Sequence, residues 1–311
     1  MMQKRINKIN DFINDPYCAQ KNVFSYLIKK GTQSSFGEEH NFTKIIDYDS
    51  FVQNIPVRTY EEFYPYIQKA RNGEKSILWP GKVKWFAKSS GTTNSISKYI
   101  PVTKESLHNC HFKGGKDMLS LYGNNFLSTD LYNGKGLMLG GTISYSKEGS
   151  FKDGDLSAIL LDEFPFWVNY HRVPDIKTAL MSDWEEKLEK ITDQAIDENI
   201  TNLTGIPSWM LILLQKILEK SGKKNILEVW PNLELYMHGG INFEPYRKKF
   251  TQLIPSAKMN YLEAYNASEG SFGVQDTSSA DGLLLMLDHG VVFEFIPMSV
   301  YKNGSRETIP L

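Results

Sequence analysis

The sequence predicts an α/β protein built on mostly parallel sheets flanked by helices. Two observations carry this prediction. Apolar segments typical of buried strands alternate along the chain with amphipathic helical segments. Several of these strands also end directly in loops rich in glycine or hydroxyl residues, as is common where the strands of an α/β sheet meet a ligand. A chain of 311 residues is long enough to bury a large core.

The helices are predicted from their apolar period and their end signals. Residues near 3–14 and 19–30 have one apolar face, which carries Phe12, Phe24, Leu27 and Ile28. Thr59 and Glu62 have the spacing of a capping box that opens the next helix, and Asn72-Gly73 closes it. Further helices are predicted over residues 103–122, 174–199, 207–220 and 245–253.

The strands are predicted from short apolar runs bounded by turn residues. They cover residues 83–87, 136–142, 157–161, 233–237, 258–264, 283–287 and 291–296, the last two forming an antiparallel hairpin around Asp288-His289-Gly290. Three strands lead into candidate binding loops at Ser89–Thr93, His238–Gly240 and Tyr265–Glu269. Because the carboxyl ends of parallel strands meet at one edge of a sheet, these loops are expected to gather around a ligand.

Composition and charge narrow the class of protein. The 35 basic and 36 acidic residues leave a net charge of −1, which gives no indication of a nucleic-acid or membrane partner. Cys18 and Cys110 are too few for a disulfide framework or a paired-cysteine metal site. The first fifteen residues lack the apolar core of a secretory signal, so a cytoplasmic location is expected. A monomer is slightly favoured.

The segment after the first strand has the composition of an oligophosphate-binding turn. Hydroxyl and backbone N–H donors cluster around one glycine, in the residues Ser89, Ser90, Gly91, Thr92 and Thr93. Lys98 adds a cation nearby. The Gly-Lys pair of the usual P-loop is missing, so this is a different kind of loop. An ordinary polar surface loop fits the same residues about equally well.

Two other loops carry weaker signals. Tyr265 has a face that can stack on a purine, the Ser268 hydroxyl can reach a phosphate, and the Glu269 carboxylate is a hard ligand suited to Mg²⁺. Strand-end packing for the tyrosine and a solvated acid for the glutamate remain open. Gly239 and Gly240 form either a binding turn or a simple turn, and His238 is more readily a structural histidine.

Several motifs occur together in one order. They are Gly31–Gly37, Pro56–Tyr60, Gly73–Pro80, Trp85–Thr103, Gly205–Trp209, His238–Gly240, Tyr265–Glu269 and Val292–Met298. In sequence and order these motifs resemble those of the auxin-responsive acyl acid amido synthetases, the Gretchen Hagen 3 family of adenylate-forming enzymes. The resemblance extends from about residue 17 to the end of the chain.

The resemblance implies an activity and roles for residues. A carboxylic acid would attack MgATP to give an acyl adenylate, and an amino acid would then take the acyl group as an amide. The phosphate-holding residues would be Ser89, Ser90, Gly91, Thr92, Thr93 and Lys98. Gly239 and Gly240 would lie against adenine and ribose, Tyr265 would border adenine, Ser268 would contact the α-phosphate, and Glu269 would bind Mg²⁺. Lys98 and Glu269 are the implied catalytic residues.

The sequence departs from the family pattern in two ways. Ser95 occupies a position where many relatives carry glycine. The family's third motif, with a ribose-binding aspartate, and its small mobile C-terminal domain would both follow Leu311. The expectation is therefore that residues 1–311 form an incomplete N-terminal nucleotide- and acid-binding domain, inactive or partial by itself.

Two alternatives to amide synthesis remain. One is an acyl-CoA-forming ligase of the same superfamily, in which a thiol consumes the adenylate. The other is a non-catalytic domain that binds a nucleotide or an acid. The acid, the amino acid and the physiological role are not determined by these residues.

Overall fold

The computed structural model describes residues 2–89, 97–145, 151–277 and 281–311, and its fold is α/β. Its helices are α1 Met2–Asn14, α2 Pro16–Gly31, α3 Ser35–Glu39, α4 Tyr48–Asn54, α5 Tyr60–Arg71, α6 Lys104–Ser106, α7 Phe112–Asn125, α8 Leu156–Asp162, α9 Ile176–Ala179, α10 Trp184–Ala195, α11 Pro207–Ser221, α12 Glu244–Leu253 and α13 Met298–Lys302. Its strands are β1 Trp85–Ser89, β2 Lys98–Val102, β3 Lys135–Met138, β4 Ile143–Tyr145, β5 Lys152–Gly154, β6 Arg172–Val173, β7 Ile200–Thr204, β8 Leu235–His238, β9 Asn260–Ala267, β10 Gly270–Val274, β11 Leu284–Leu285, β12 Glu294–Phe295 and β13 Ile309–Pro310.

The chain forms two compact units. The first comprises Met1–Lys113, Tyr145–Asp153 and Met286–Leu311, and the second comprises Gly114–Ser144 and Gly154–Leu285. Among the helices that the structure describes, none has both the length and the apolar character needed to cross a membrane.

A seven-stranded sheet forms the centre of the second unit, in the order β11-β10-β9-β8-β7-β3-β6. The five neighbouring strands β6, β3, β7, β8 and β9 are parallel. Strands β10 and β11 add antiparallel partners next to β9. The predicted mostly parallel sheet is therefore confirmed here. Because parallel strands share a direction, β3, β7, β8 and β9 all end at one edge, which we call the carboxyl edge.

Helices α10 and α11 supply much of the core beside this sheet. Pro207 lies in the first turn of α11, and Gly222 ends it in a left-handed conformation with φ 67°. The apolar face of α11 is completely buried at Met210, Leu213 and Leu214. Burial of each such side chain contributes about 2 kcal/mol to stability, so this face fixes the helix on the sheet.

The β1–β2 ladder is the main feature of the first unit that concerns function. The two strands are antiparallel, with Ser89 opposite Lys98 at one end and Trp85 opposite Val102 at the other. Helix α5 begins with the predicted capping box, since Thr59 Oγ1 accepts the Glu62 N–H and the Glu62 carboxylate accepts the Thr59 N–H. A buried apolar cluster includes Ile67 of α5 and Phe86 of β1, and Tyr99 of β2 packs against it.

Residues 157–161 form a helix, so the predicted strand there is wrong. Ala158, Ile159 and Leu161 are buried within α8, and the N–H groups of Ala158 and Ile159 both donate to the carbonyl of Asp155. A short, continuously apolar run has the same composition in a buried helix and in a buried strand. Tertiary packing therefore determines the outcome.

The single helix predicted over residues 174–199 is divided into α9 and α10. Asp175 caps the first by accepting the Thr178 N–H, and Asp183 caps the second by accepting the Glu186 N–H. The second aspartate starts a new helix because its carboxylate satisfies a free N–H in the new first turn. The prediction missed this internal cap.

The predicted hairpin around Asp288-His289-Gly290 is also wrong. Strand β11 pairs with β10, and β12 pairs with β13. The buried Gln20 side chain replaces the missing hairpin bonds, because its Nε2 donates to the carbonyls of Leu287 and Val291 while its Oε1 accepts the Phe293 N–H. A side chain near the start of the chain thus satisfies backbone groups that the predicted hairpin would have paired with each other.

Candidate functional site

The turns that follow the parallel strands lie side by side at the carboxyl edge. The Leu139 N–H donates to the Thr204 carbonyl at 2.9 Å, and the Gly205 N–H donates to the Met237 carbonyl at 3.2 Å. The Tyr236 hydroxyl donates to the Gly205 carbonyl at 2.9 Å. These bonds fix the strand exits after β3, β7 and β8 relative to one another, as a binding edge requires.

The Gly239-Gly240 turn requires glycine for physical reasons. His238 is paired with Glu263 in parallel register, which places Gly239 beside Ala264. A Cβ atom at Gly239 would lie 2.2 Å from the Ala264 carbonyl oxygen. Gly240 has φ 82°, where side chains are strained. The predicted glycine turn is therefore present, and close packing against the neighbouring strand requires its first glycine; its role toward adenine stays a prediction.

Tyr265 lies within a strand, so the loop predicted from residue 265 is wrong in this part. It belongs to β9, pairs with Gly273 of β10, and its ring centroid lies 5.2 Å from that of Phe272. The side chain is 56% exposed. Sheet pairing continued past the predicted end because β10 supplies an antiparallel partner. An exposed tyrosine ring near the Gly239-Gly240 turn fits the predicted stacking role.

Ser268 and Glu269 form the short connection between β9 and β10. Glu269 is exposed and Ser268 is partly buried. This connection lies at the end of the β9–β10 hairpin. An exposed carboxylate there can bind a hydrated cation. One carboxylate suits Mg²⁺, which keeps several waters and binds substrate phosphates at the same time.

His238 is buried within an aromatic cluster. Its ring stacks on Phe243 with centroids 4.1 Å apart, and Phe243 in turn stacks on Tyr261 at 5.2 Å. Burial, together with the smaller effect of the Arg247 cation, lowers the pKa of His238 to about 4. The histidine is therefore neutral near pH 7. This agrees with the structural role that the sequence favoured.

The β1–β2 ladder places Ser89 and Lys98 opposite each other. Lys98 is half-buried, and its Nζ lies 5.2 Å from the ring centroid of Tyr60. The Tyr60 hydroxyl accepts the Tyr99 N–H at 2.8 Å, which fixes the ladder to α5. Ser90, Gly91, Thr92 and Thr93, together with Ser95, lie outside the described residues. Ser89 and Lys98 belong to the first unit, whereas the glycine turn, Tyr265, Ser268 and Glu269 belong to the second.

Sequence reasoning missed one functional candidate at the carboxyl edge, Lys187 of α10. Its side chain is completely enclosed, and its Nζ donates to the carbonyls of Gly140 at 2.7 Å and Gly141 at 2.9 Å. Burial lowers the pKa of Lys187 to about 8, against the opposing effect of Asp155. A signal existed, because Lys187 lies one turn after Trp184 on the apolar face of an amphipathic helix.

Comparison with known proteins agrees with this architecture. The indole-3-acetic acid-amido synthetase GH3.4 of Arabidopsis thaliana is 22% identical over 99% of this chain and 61% of its own length. The 4-substituted benzoates-glutamate ligase GH3.12 of the same plant is 22% identical over 94% of this chain and 60% of its own. The chain thus spans about three fifths of the length of these relatives.

Solved structures show the same fold at lower identity. The AtGH3.15 acyl acid amido synthetase in complex with 2,4-DB superposes with a TM-score of 0.78 and 16% identity, over 100% of this chain and 63% of that one. An open conformation of 2-hydroxyisobutyryl-CoA ligase in complex with 2-HIB-AMP and CoA gives 0.54 and 8%, over 85% and 57%. The profile of the GH3 family N-terminal domain matches residues 5–259, and the chain therefore belongs to the GH3 family.

Proposed function

We propose that this chain binds MgATP and a small carboxylic acid and takes part in ATP-dependent ligation of the acid to an amino acid. The observation that carries the proposal is family membership over most of the chain, with relatives named for joining an acid to an amino acid. The carboxyl edge supports it, because the exits of β3, β7 and β8 lie side by side there, and the carboxyl ends of parallel strands are where α/β sheets bind ligands.

The proposed phosphate contacts are those that the family resemblance implies. Ser89, Ser90, Gly91, Thr92, Thr93 and Lys98 would hold the β- and γ-phosphates. Ser268 would contact the α-phosphate, and Glu269 would hold Mg²⁺, which offsets the negative charge that develops during phosphoryl chemistry. Gly239, Gly240 and Tyr265 would border ribose and adenine.

The proposed reaction needs positioning more than covalent catalysis by the protein. In the first half, an oxygen of the acid's carboxylate bonds to the α-phosphorus of ATP, and pyrophosphate leaves. In the second half, the amine nitrogen of the amino acid bonds to the acyl carbon, AMP leaves with the bonding pair, and the amine loses a proton. Lys98 and the hydroxyl residues would lower the barrier by holding the phosphates in line and neutralising their charge.

Two other functions use the same fold. An acyl-CoA-type ligase would pass the acyl group to a thiol, as the name of the 2-hydroxyisobutyryl-CoA ligase indicates for that protein. A non-catalytic domain would bind a nucleotide or acid without turnover. The named relatives favour amide synthesis over both.

One experiment separates the three functions. The protein is incubated with MgATP and either indole-3-acetic acid or a 4-substituted benzoate, the acids in the relatives' names, plus a mixture of amino acids or coenzyme A. Mass spectrometry then measures AMP and the acyl product. A parallel calorimetric titration measures MgATP binding. We expect saturable MgATP binding and an acid-dependent amide in low yield. A thioester would support the acyl-CoA alternative, MgATP binding without any product would support the non-catalytic one, and lack of MgATP binding would refute the proposal.

A further inference from the structure

The Gly140-Gly141 turn, which follows β3 at the carboxyl edge, is held by side chains on both of its polar sides. Lys187 Nζ from α10 donates to both of its carbonyl groups, at 2.7 and 2.9 Å. On the N–H side, Gly141 donates to Ser157 Oγ at 2.9 Å and the following Thr142 donates to Asp155 Oδ2 at 2.9 Å. The conformation of the turn therefore depends on side chains and not on sheet pairing.

The turn has no space for larger residues. A Cβ at Gly140 would lie 2.3 Å from Leu161 Cδ1, and one at Gly141 would lie 2.0 Å from Asp155 Oδ2. The same carboxylate that accepts the Thr142 N–H thus presses against the turn. With Lys187 on the other side, the turn is confined between α10 and the start of α8.

A buried lysine at this place is costly unless its donors are used. Removing an ammonium group from water disfavours its charged form, and burial here lowers the Lys187 pKa to about 8. The two carbonyl acceptors offset part of that cost. Either the charged or the neutral amine can donate two hydrogen bonds, so the turn is held on both sides of this pKa.

The residue just before the turn faces the neighbouring strand exit. Leu139 donates its N–H to the Thr204 carbonyl, and a Cβ at Gly205 would lie 3.0 Å from Leu139 Cβ. Any shift of Gly140 moves Leu139 relative to the Gly205 turn. Apolar residues beside glycine turns at a carboxyl edge are suitable walls for the organic part of a small acid.

We propose that Lys187 is a positioning residue for the acid-binding wall, holding the Gly140-Gly141 turn so that Leu139 is fixed beside Gly205. This inference rests on the proposed function, since it assigns one side of the carboxyl edge to the acid. It concerns no phosphate contact and assigns Lys187 no contact with the reacting atoms.

The first test is hydrogen exchange of the turn in a Lys187→Met variant, which keeps the length of the side chain and removes its donors. We expect the amides of Gly141 and Thr142 to exchange about tenfold faster or more, because their turn loses its anchor. Lys190→Met is the matched control on the same helix, where Lys190 forms an exposed ion pair with Glu186 and no change at the turn is expected. Unchanged exchange in Lys187→Met would overturn the inference.

The second test separates acid binding from nucleotide binding. Calorimetric titrations use indole-3-acetic acid and a 4-substituted benzoate as probes, and MgATP as the reference ligand. In Lys187→Met we expect acid affinity about tenfold weaker with MgATP affinity unchanged, and partial recovery of acid affinity in Lys187→Arg. Equal loss for both ligands would show general damage and overturn the inference.

Failure of the inference and failure of the proposed function give different results. Unchanged acid affinity in Lys187→Met, with normal acid binding by the unmodified protein, refutes the role of Lys187 alone. An unmodified protein that binds MgATP but neither acid refutes the assignment of this wall to the acid. Lack of MgATP binding refutes the proposed function as a whole.

Discussion

The β1–β2 ladder of the first unit and the carboxyl edge of the second hold their cations in different ways. In the ladder region, cations lie over aromatic rings: Arg71 Cζ is 3.8 Å from the Tyr99 centroid, and Lys98 Nζ is 5.2 Å from that of Tyr60. At the carboxyl edge, Lys187 is fully enclosed and donates to two backbone carbonyls. Aromatic ring faces attract the cations in the ladder region, whereas backbone carbonyls accept the hydrogen bonds of the lysine at the carboxyl edge.

This difference determines what each region tolerates. A half-exposed cation above a ring can change partners when a ligand arrives, because the ring attracts it by only about 0.5–1 kcal/mol. Lys187, buried and bonded to two carbonyls, cannot change partners in this way. Gly239, packed against a carbonyl oxygen, has no space for a larger side chain. We therefore expect Gly239→Ala, at an enclosed position of the carboxyl edge, to reduce stability, whereas Lys98→Met should mainly reduce ligand affinity.

The largest effect is expected from Gly239→Ala, which tests whether the carboxyl edge excludes side chains. The added methyl would meet the Ala264 carbonyl oxygen at 2.2 Å, so the exit of β8 must shift. We expect the free energy of unfolding, measured by urea denaturation, to fall by about 3 kcal/mol. Gly115→Ala is the control, since nothing lies within 4 Å of its Cβ in a helix, and it should be neutral or stabilising. Equal effects would contradict the account.

Arg71→Met, in the ladder region, is expected to have the second largest effect on stability. The guanidinium also lies near the Phe86 and Phe151 rings and 3.6 Å from the Asp153 carboxylate. Burial raises the pKa of Asp153 and Arg71 opposes that shift, so the variant leaves the acid poorly compensated. We expect a loss of about 2 kcal/mol in the same assay.

The control for this change is Arg306→Met. Arg306 pairs with Glu62 at the surface, where both side chains are about half exposed. Exposed pairs of this kind contribute little to stability. A loss in Arg306→Met as large as that in Arg71→Met would show that burial and ring contacts are not what matters.

Burial of Lys187 makes the stability of the protein depend on pH. The folded-state pKa of Lys187 is about 8 and its ordinary value is 10.5. Between these values the unfolded chain binds a proton that the folded protein has released, so stability rises with pH. From pH 7 to 9 we expect the unmodified protein to gain about 1 kcal/mol relative to Lys187→Met. A relative loss over this range would contradict the assigned burial of the charge.

Lys98→Met should have the smallest effect on stability and a clear effect on binding. Loss of its contact with Tyr60 should cost about 0.5 kcal/mol. If Lys98 holds a phosphate, MgATP affinity should fall about tenfold or more in a calorimetric titration. Lys152→Met is the matched control, because Lys152 lies 4.5 Å over the Trp85 ring in the same unit and has no proposed phosphate contact.

Much of the fold could be predicted from the sequence because its signals are local. The capping box at Thr59 and Glu62, and Pro207 with Gly222 at the ends of α11, depend on neighbours along the chain. The predictions failed where distant residues decide. Gln20 satisfies the backbone near residue 290, and the antiparallel β10 extends β9 through Tyr265.

The candidate site also contains residues with a local sequence signal and residues whose role depends on distant contacts. Gly239 and Gly240 can be predicted because a buried strand leads directly into them, and the structure shows a turn that requires glycine there. Lys187 was not found, because its importance comes from carbonyl groups about 46 residues earlier in the chain. The roles of the residues toward ATP and Mg²⁺ remain predictions drawn from the family resemblance.

A calorimetric titration of MgATP into the unmodified protein and into Glu269→Ala tests the nucleotide site. Glu244→Ala is an exposed acidic control in the same unit. We predict saturable binding by the unmodified protein and by the control. Affinity in Glu269→Ala should be about tenfold weaker or more, and the difference should disappear when magnesium is omitted. Equal MgATP affinity in all three proteins would contradict the assignment of the nucleotide site.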